Sequence, residues 1–117
     1  MPTIRDLVGA IRGRPGVEAA VVLGRDGLLI DSQAREGFDA EHAAAHLPAI
    51  VAAADEFGAA ANRGQLATAV LEHAEGLSIV SALSRDALLL VVLGPDADVA
   101  QLLFELRRGR AQIAALV

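Results

Sequence analysis

An α+β fold built on an antiparallel sheet is what this chain predicts, and three observations carry that prediction. Helical and strand-like signals follow one another in the order α-β-β-α-β-β-β-α. Neighbouring strand signals are separated by short turns, Arg25-Asp26-Gly27, Glu75-Gly76 and Ser84-Arg85-Asp86. Such hairpin turns join antiparallel neighbours, whereas a parallel sheet needs a crossover between strands. The run Val17–Leu23 is apolar on both alternate faces apart from Glu18, and Ala87–Leu93 is almost pure Leu and Val. Strands of that kind are covered on both sides, with the last one central.

The first helix is expected over about 3–13. Thr3 and Asp6 have the spacing of a capping box with Asp in place of Glu. Ile4, Leu7, Val8 and Ile11 then recur at helical spacing, and Gly13-Arg14-Pro15-Gly16 stops the helix. Val17–Leu23 is the first strand, Leu28–Asp31 its return partner, and Ser32–Gly37 a polar loop. Asp39 is the N-cap of a long helix reaching Asn62 or Arg63. Pro48 lies inside that segment and removes a backbone donor, so the helix bends near residue 46 or starts later. Leu66–Ala74, Leu77–Leu83 and Ala87–Leu93 are the remaining strands. Gly94-Pro95-Asp96 breaks the last of them. Asp98 with Gln101 then opens a final helix whose stripe is Val99, Leu102, Leu103, Leu106, Ile113 and Val117.

Composition narrows the class. At 117 residues and 54% hydrophobic, residues 1–117 read as one ordered domain. Ala, Leu and Val must fill the core, since there are only three Phe and no Trp or Tyr. The absence of cysteine excludes disulfides, thiolate metal sites and a cysteine nucleophile. A net charge of −5 argues against nucleic acid as a partner. The first residues lack a signal-peptide pattern and no apolar run approaches a membrane span. A cytoplasmic protein without membrane attachment is the expectation.

The middle helix is unusual. On a wheel of about 100° per residue, Leu47, Ile50, Val51, Ala54, Gly58 and Ala61 share one face. The opposite face holds Ala45, Ala49, Ala52, Glu56, Ala59 and Ala60, where an ordinary surface helix carries charges. Alanine is also simply a good helix former at exposed positions. The alternative is a second packing surface, whose small residues admit the same helix of a second copy across a two-fold axis. These six residues are the candidate dimer or partner interface, with Glu41, Asp55 and Glu56 as a polar rim.

Catalytic chemistry is sparse. His42 and His46 stand four apart, but Ala43 occupies the position where a zincin carries Glu, and two ligands without a third make a weak site. His73 has no evident partner. Gly9, Gly13 and Gly16 surround a helix end, the reverse of a dinucleotide fingerprint, and no Gly-Lys-Ser/Thr occurs. Ser78 and Ser81 lie within a strand and form no nucleophile elbow. Arg107, Arg108 and Arg110 read as a solvated face near a helix C-terminus. Phe104 falls off the apolar stripe and either packs on the first helix or marks a contact surface. No catalytic, cofactor or metal residue is assigned, and an enzyme is not expected.

The chain resembles the roadblock (dynein light-chain) family along essentially all of its length. The resemblance is carried by Val17-Glu18-Ala19-Ala20-Val21-Val22-Leu23 with Arg25-Asp26-Gly27-Leu28-Leu29-Ile30. In the second half it is carried by Gly64-Gln65-Leu66, by Glu75-Gly76-Leu77-Ser78-Ile79-Val80, and by Ala87 through Asp98 into Leu102-Leu103-Phe104-Glu105-Leu106-Arg107-Arg108. It implies a five-stranded antiparallel sheet with one long helix on one face and the two terminal helices on the other. It further implies dimers in which the third strands pair across the two-fold axis, with Leu66, Thr68 and Val70 as the edge. Bacterial members of this type work with small Ras-like GTPases, as scaffolds or as activators that donate no arginine finger. The expected function is therefore a homodimeric, protein-binding regulator or scaffold of such a GTPase. A scaffold for another protein, or a small-molecule sensor, is the alternative.

Overall fold

A computed structural model describes residues 2–117. Its elements are α1 (Ile4–Arg12), β1 (Val17–Gly24), β2 (Leu29–Ala34), α2 (Ala40–Ala45), α3 (Leu47–Ala60), β3 (Thr68–His73), β4 (Gly76–Ala82), β5 (Ala87–Leu93), α4 (Val99–Arg108) and α5 (Arg110–Ala114). The five strands form one antiparallel sheet in the order β2-β1-β5-β4-β3. This is the α+β fold that the sequence predicts, with β5 in the middle of the sheet.

Strand alternation explains the two-sided core. On one face, Ala20 and Val22 of β1 join Leu89, Val91 and Leu93 of β5 and Ile79 of β4 under α1, α4 and α5. On the other, Ala19, Val21 and Leu23 join Leu88, Leu90 and Val80 under Ala44, Leu47 and Val51 of α2 and α3. Successive side chains of a strand point to opposite faces, so a strand covered by helices on both sides must be apolar throughout. The terminal helices thus take one face and the middle helices the other.

The caps form as the residue spacing requires. The Thr3 side chain accepts from the Asp6 amide at 3.1 Å, and the Asp6 carboxylate accepts from the Thr3 amide at 3.0 Å. Asp39 and Asp98 cap α2 and α4 by accepting from the amides of His42 and Gln101. Arg14 of the loop after α1 forms an ion pair with Glu105 of α4, tying the terminal helices together.

Several boundaries differ from expectation. Ser32, Gln33 and Ala34 are polar or small, yet they extend β2 because they pair with Val21, Ala20 and Ala19. The long middle helix is two helices that meet at His46, two residues before Pro48, which sits at the start of α3. The second of them stops at Ala60 rather than at residue 62 or 63. There the Arg63 amide donates to the Gly58 carbonyl at 2.7 Å and the Asn62 amide to that of Ala59 at 3.1 Å. With Asn62 at φ 59°, this is a Schellman close. A Cβ at Gly58 would collide with the Gly64 carbonyl oxygen, so the return of the chain against α3 requires glycine there. The last helix is likewise divided, at Gly109. Finally, β3 begins at Thr68, not Leu66. Leu66 lies in the preceding loop, where its side chain packs on the α3 side of the core.

Candidate interaction surface

The outward side of α3 is almost entirely apolar. Ala45 at the end of α2 and Ala49, Ala52, Glu56, Ala59 and Ala60 of α3 are all exposed, as are Ala53 and Phe57. Phe57 is 74% exposed and Ile50 37%. Ile50, which shares a wheel face with Leu47 and Val51, thus lies at the surface. Leu47, Val51 and Gly58 are buried, whereas Ile50 and Phe57, seven residues apart, stand together at the flank of the core stripe. Phe57 is the largest exposed apolar side chain on this face and was not among the residues singled out from sequence. Its spacing of seven from Ile50 was the available signal.

Of the polar rim, Glu41 and Glu56 are exposed while Asp55 is committed within the fold. One carboxylate oxygen of Asp55 accepts from Arg25 at 3.2 Å and the other from the Leu66 amide at 2.7 Å. Arg25 also donates to the Ser84 carbonyl. Asp55 thus joins α3 to the β1–β2 turn, the β4–β5 turn and the approach to β3, and is not free for a partner. Asp55→Ala leaves a partly buried guanidinium and a backbone amide without their acceptor. The expected loss of unfolding free energy is about 1–3 kcal/mol, read from chemical denaturation. Glu56→Ala is expected to change it by less than about 0.5 kcal/mol.

The two sheet edges contrast. At the β2 edge Asp31 of the strand pairs with Arg5 at 2.8 Å, and Arg35, just past the strand's end, pairs with Glu18 of β1 at 2.7 Å; charge at an edge is a common way to blunt it. β3 carries no ion pair among the described residues. The Ala82 amide donates to the Ala67 carbonyl at 2.9 Å, so Ala67 faces β4. By alternation Ala69, Leu71 and His73 face β4 as well. Thr68, Val70 and Glu72 therefore turn their N–H and C=O groups outward. Val70 is 42% exposed.

Elsewhere the surface offers little for chemistry. The His42 and His46 rings meet edge-on with centroids 5.1 Å apart. Among the described residues no three His, Asp or Glu side chains gather as a metal site would require. A concavity of about 480 Å³ is lined by Gly27, Leu28, Leu29 and Glu41. Among the described residues lining it there is a single carboxylate and no cation or nucleophile. Phe104 is 59% exposed on α4, with Arg107 and Arg108 exposed beside it. Arg110 instead reaches Thr68. No described helix is long and apolar enough to cross a membrane.

The model of the Roadblock/LC7 domain family matches residues 3–93. The chain belongs to this family. Solved structures agree on the fold. A Roadblock/LC7 domain from Streptomyces avermitilis is 26% identical, with a TM-score of 0.76 over 92% of this chain and 87% of that one. The gliding protein MglB from Thermus thermophilus is 14% identical, with a TM-score of 0.84 over 96% of this chain and 86% of that one. An MglB described in a tetrameric arrangement gives 0.84 and 14% over 96% and 85%. A search of curated proteins found no match. Within the Roadblock/LC7 frame, the features that stand out here are the apolar side of α3 and the open edge of β3.

Proposed function

We propose that the chain is a homodimeric, protein-binding regulator or scaffold of a small Ras-like GTPase, acting in the cytoplasm and performing no catalysis of its own. The observation that carries this reading is the outward side of α3, where Phe57, Ile50 and a run of alanines face solvent with Glu56 as the charge among them. A contiguous apolar helix face of this kind is a contact surface rather than a solvated one. Family membership supports a protein partner, and the tetrameric arrangement described for one MglB supports self-association. The GTPase is what the resemblance to bacterial roadblock proteins implies. The shortage of convergent polar groups supports a role in which the GTPase supplies the chemistry.

The test has two parts. Light scattering at micromolar concentration should return twice the 12.1 kDa chain mass. The organism's small GTPases, loaded with GDP or a GTP analogue, should then bind the dimer with a preference for one nucleotide state. Unchanged GTP turnover on binding marks a passive scaffold, and accelerated turnover an activator. Failure of every GTPase to bind in both states sinks the GTPase assignment and leaves a scaffold for another protein.

A further inference from the structure

We propose that the groove between α1 and α4 is a docking site for an acidic amphipathic helix of a second protein. It lies on the face of the sheet opposite α3, so it is a contact surface separate from the one that carries the homodimer and GTPase reading. The groove, about 230 Å³ in volume, is walled by Leu7, Ala10 and Ile11 of α1 and by Leu102 and Leu106 of α4, with Ile113 of α5 completing the lining. Ile11, Leu102 and Leu106 are buried and build the floor. Leu7 and Ile113 are half-buried and Ala10 is exposed, so the rim keeps apolar surface uncovered. Residues three and four apart stand on one side of a helix, so each wall is a helical ridge. A valley between two such ridges is the shape that receives the apolar face of a third helix, anchored at i, i+3, i+4 and i+7.

Charge around the groove selects the kind of helix. From Val99 to Val117, Glu105 is the single acidic residue, and it is already paired with Arg14 across the groove. Arg107 and Arg108 are exposed and form no ion pair among the described residues. At about 100° per residue, Arg108 and then Phe104 follow Glu105 around the outward side of α4. A chain of net charge −5 thus presents a cationic rim with an exposed aromatic ring at this one place. The end of a helix accounts for the arginines by themselves, but not for Phe104 one turn before Arg108 or for the apolar floor beside them. Acidic groups on a partner helix pair with this rim, and the negative charge of the rest of the surface, Glu56 on α3 included, turns such a helix away from other sites. An anionic bilayer fits less well, because a flat surface reaches Phe104 and the arginines and leaves the concave floor empty.

The probe is a synthetic amphipathic peptide with leucine at i, i+3, i+4 and i+7 and glutamate elsewhere, titrated into the methyl-labelled full chain and followed by NMR. A control peptide carries lysine in place of every glutamate. The glutamate peptide is expected to move the methyl resonances of Leu7, Ile11, Leu102 and Ile113 and to leave that of Ile50 on α3 unmoved. The lysine peptide should bind at least about tenfold more weakly, and the double variant Arg107→Glu, Arg108→Glu should reverse the preference. Ala10→Phe, which fills the groove from an exposed position, should abolish binding of the glutamate peptide. All three positions are exposed, so the variants keep the fold, which circular dichroism checks. No shift with either peptide, equal binding of the two, or shifts centred on Ile50 instead overturns the proposal. Binding to phosphatidylglycerol vesicles without binding to the peptide also overturns it and assigns the rim to a membrane. The homodimer stands or falls separately, by light scattering.

Discussion

Replacing Phe57 by glutamate is expected to raise the dimer dissociation constant by at least about a hundredfold. Phe57 is 74% exposed in the isolated chain and belongs to neither core cluster. Covering such a side chain is worth about 1.5–3 kcal/mol. A two-fold interface loses that twice, about 3–6 kcal/mol, which corresponds to a factor of about 100 or more in affinity. The introduced carboxylate adds a desolvation cost to the same side. Sedimentation equilibrium measures the constant, and circular dichroism should show the monomer folded, since no core contact is removed. An unchanged constant would take this flank of α3 out of the dimer and leave it as the surface for a different partner.

Leu89→Ala has the largest expected effect on the fold itself. Leu89 is fully buried in β5 and is paired across the sheet with Val22 on β1 and Ser81 on β4. Its side chain fills the core under the terminal helices. Truncating a buried leucine loses its transfer free energy and leaves a cavity that close-packed neighbours fill only in part, about 2–5 kcal/mol together. Small domains have only about 5–15 kcal/mol in total. Urea unfolding at fixed protein concentration should show a lower midpoint with an unchanged slope. A loss below about 0.5 kcal/mol would mean that α1 and α4 do not pack on this face as described.

What was legible in the sequence depended on short-range physics. The capping box at Thr3, the caps at Asp39 and Asp98, the stop at Gly13, the bend before Pro48 and the hairpin turns each involve residues within about four positions of one another, where spacing and residue type act directly. The burial of β1 and β5 was equally legible, because a strand that is apolar on both faces admits no solvated side. Composition removed disulfides and thiolate chemistry outright. The apolar character of Ala45, Ala49, Ala52, Ala59 and Ala60 could be read from the helical period alone, and the structure places all of them at the surface.

Tertiary structure decided the rest, for one physical reason: the deciding interactions join residues far apart in the chain. Ser32–Ala34 look like loop until Ala19–Val21 offer them a ladder. Leu66 looks like strand until its amide is taken by Asp55 of α3. Asp55 looks like an available surface charge until Arg25, thirty residues away, is found against it. Ile50 lies at the edge of the stripe formed by Leu47, Val51 and Gly58, and how α3 seats on the sheet decides which residues at that edge are covered; Ile50 and Phe57 are left facing outward. Periodicity along the chain determined which faces are apolar. The packing of α3 over the sheet determined which of them the fold covers and which it leaves for another molecule.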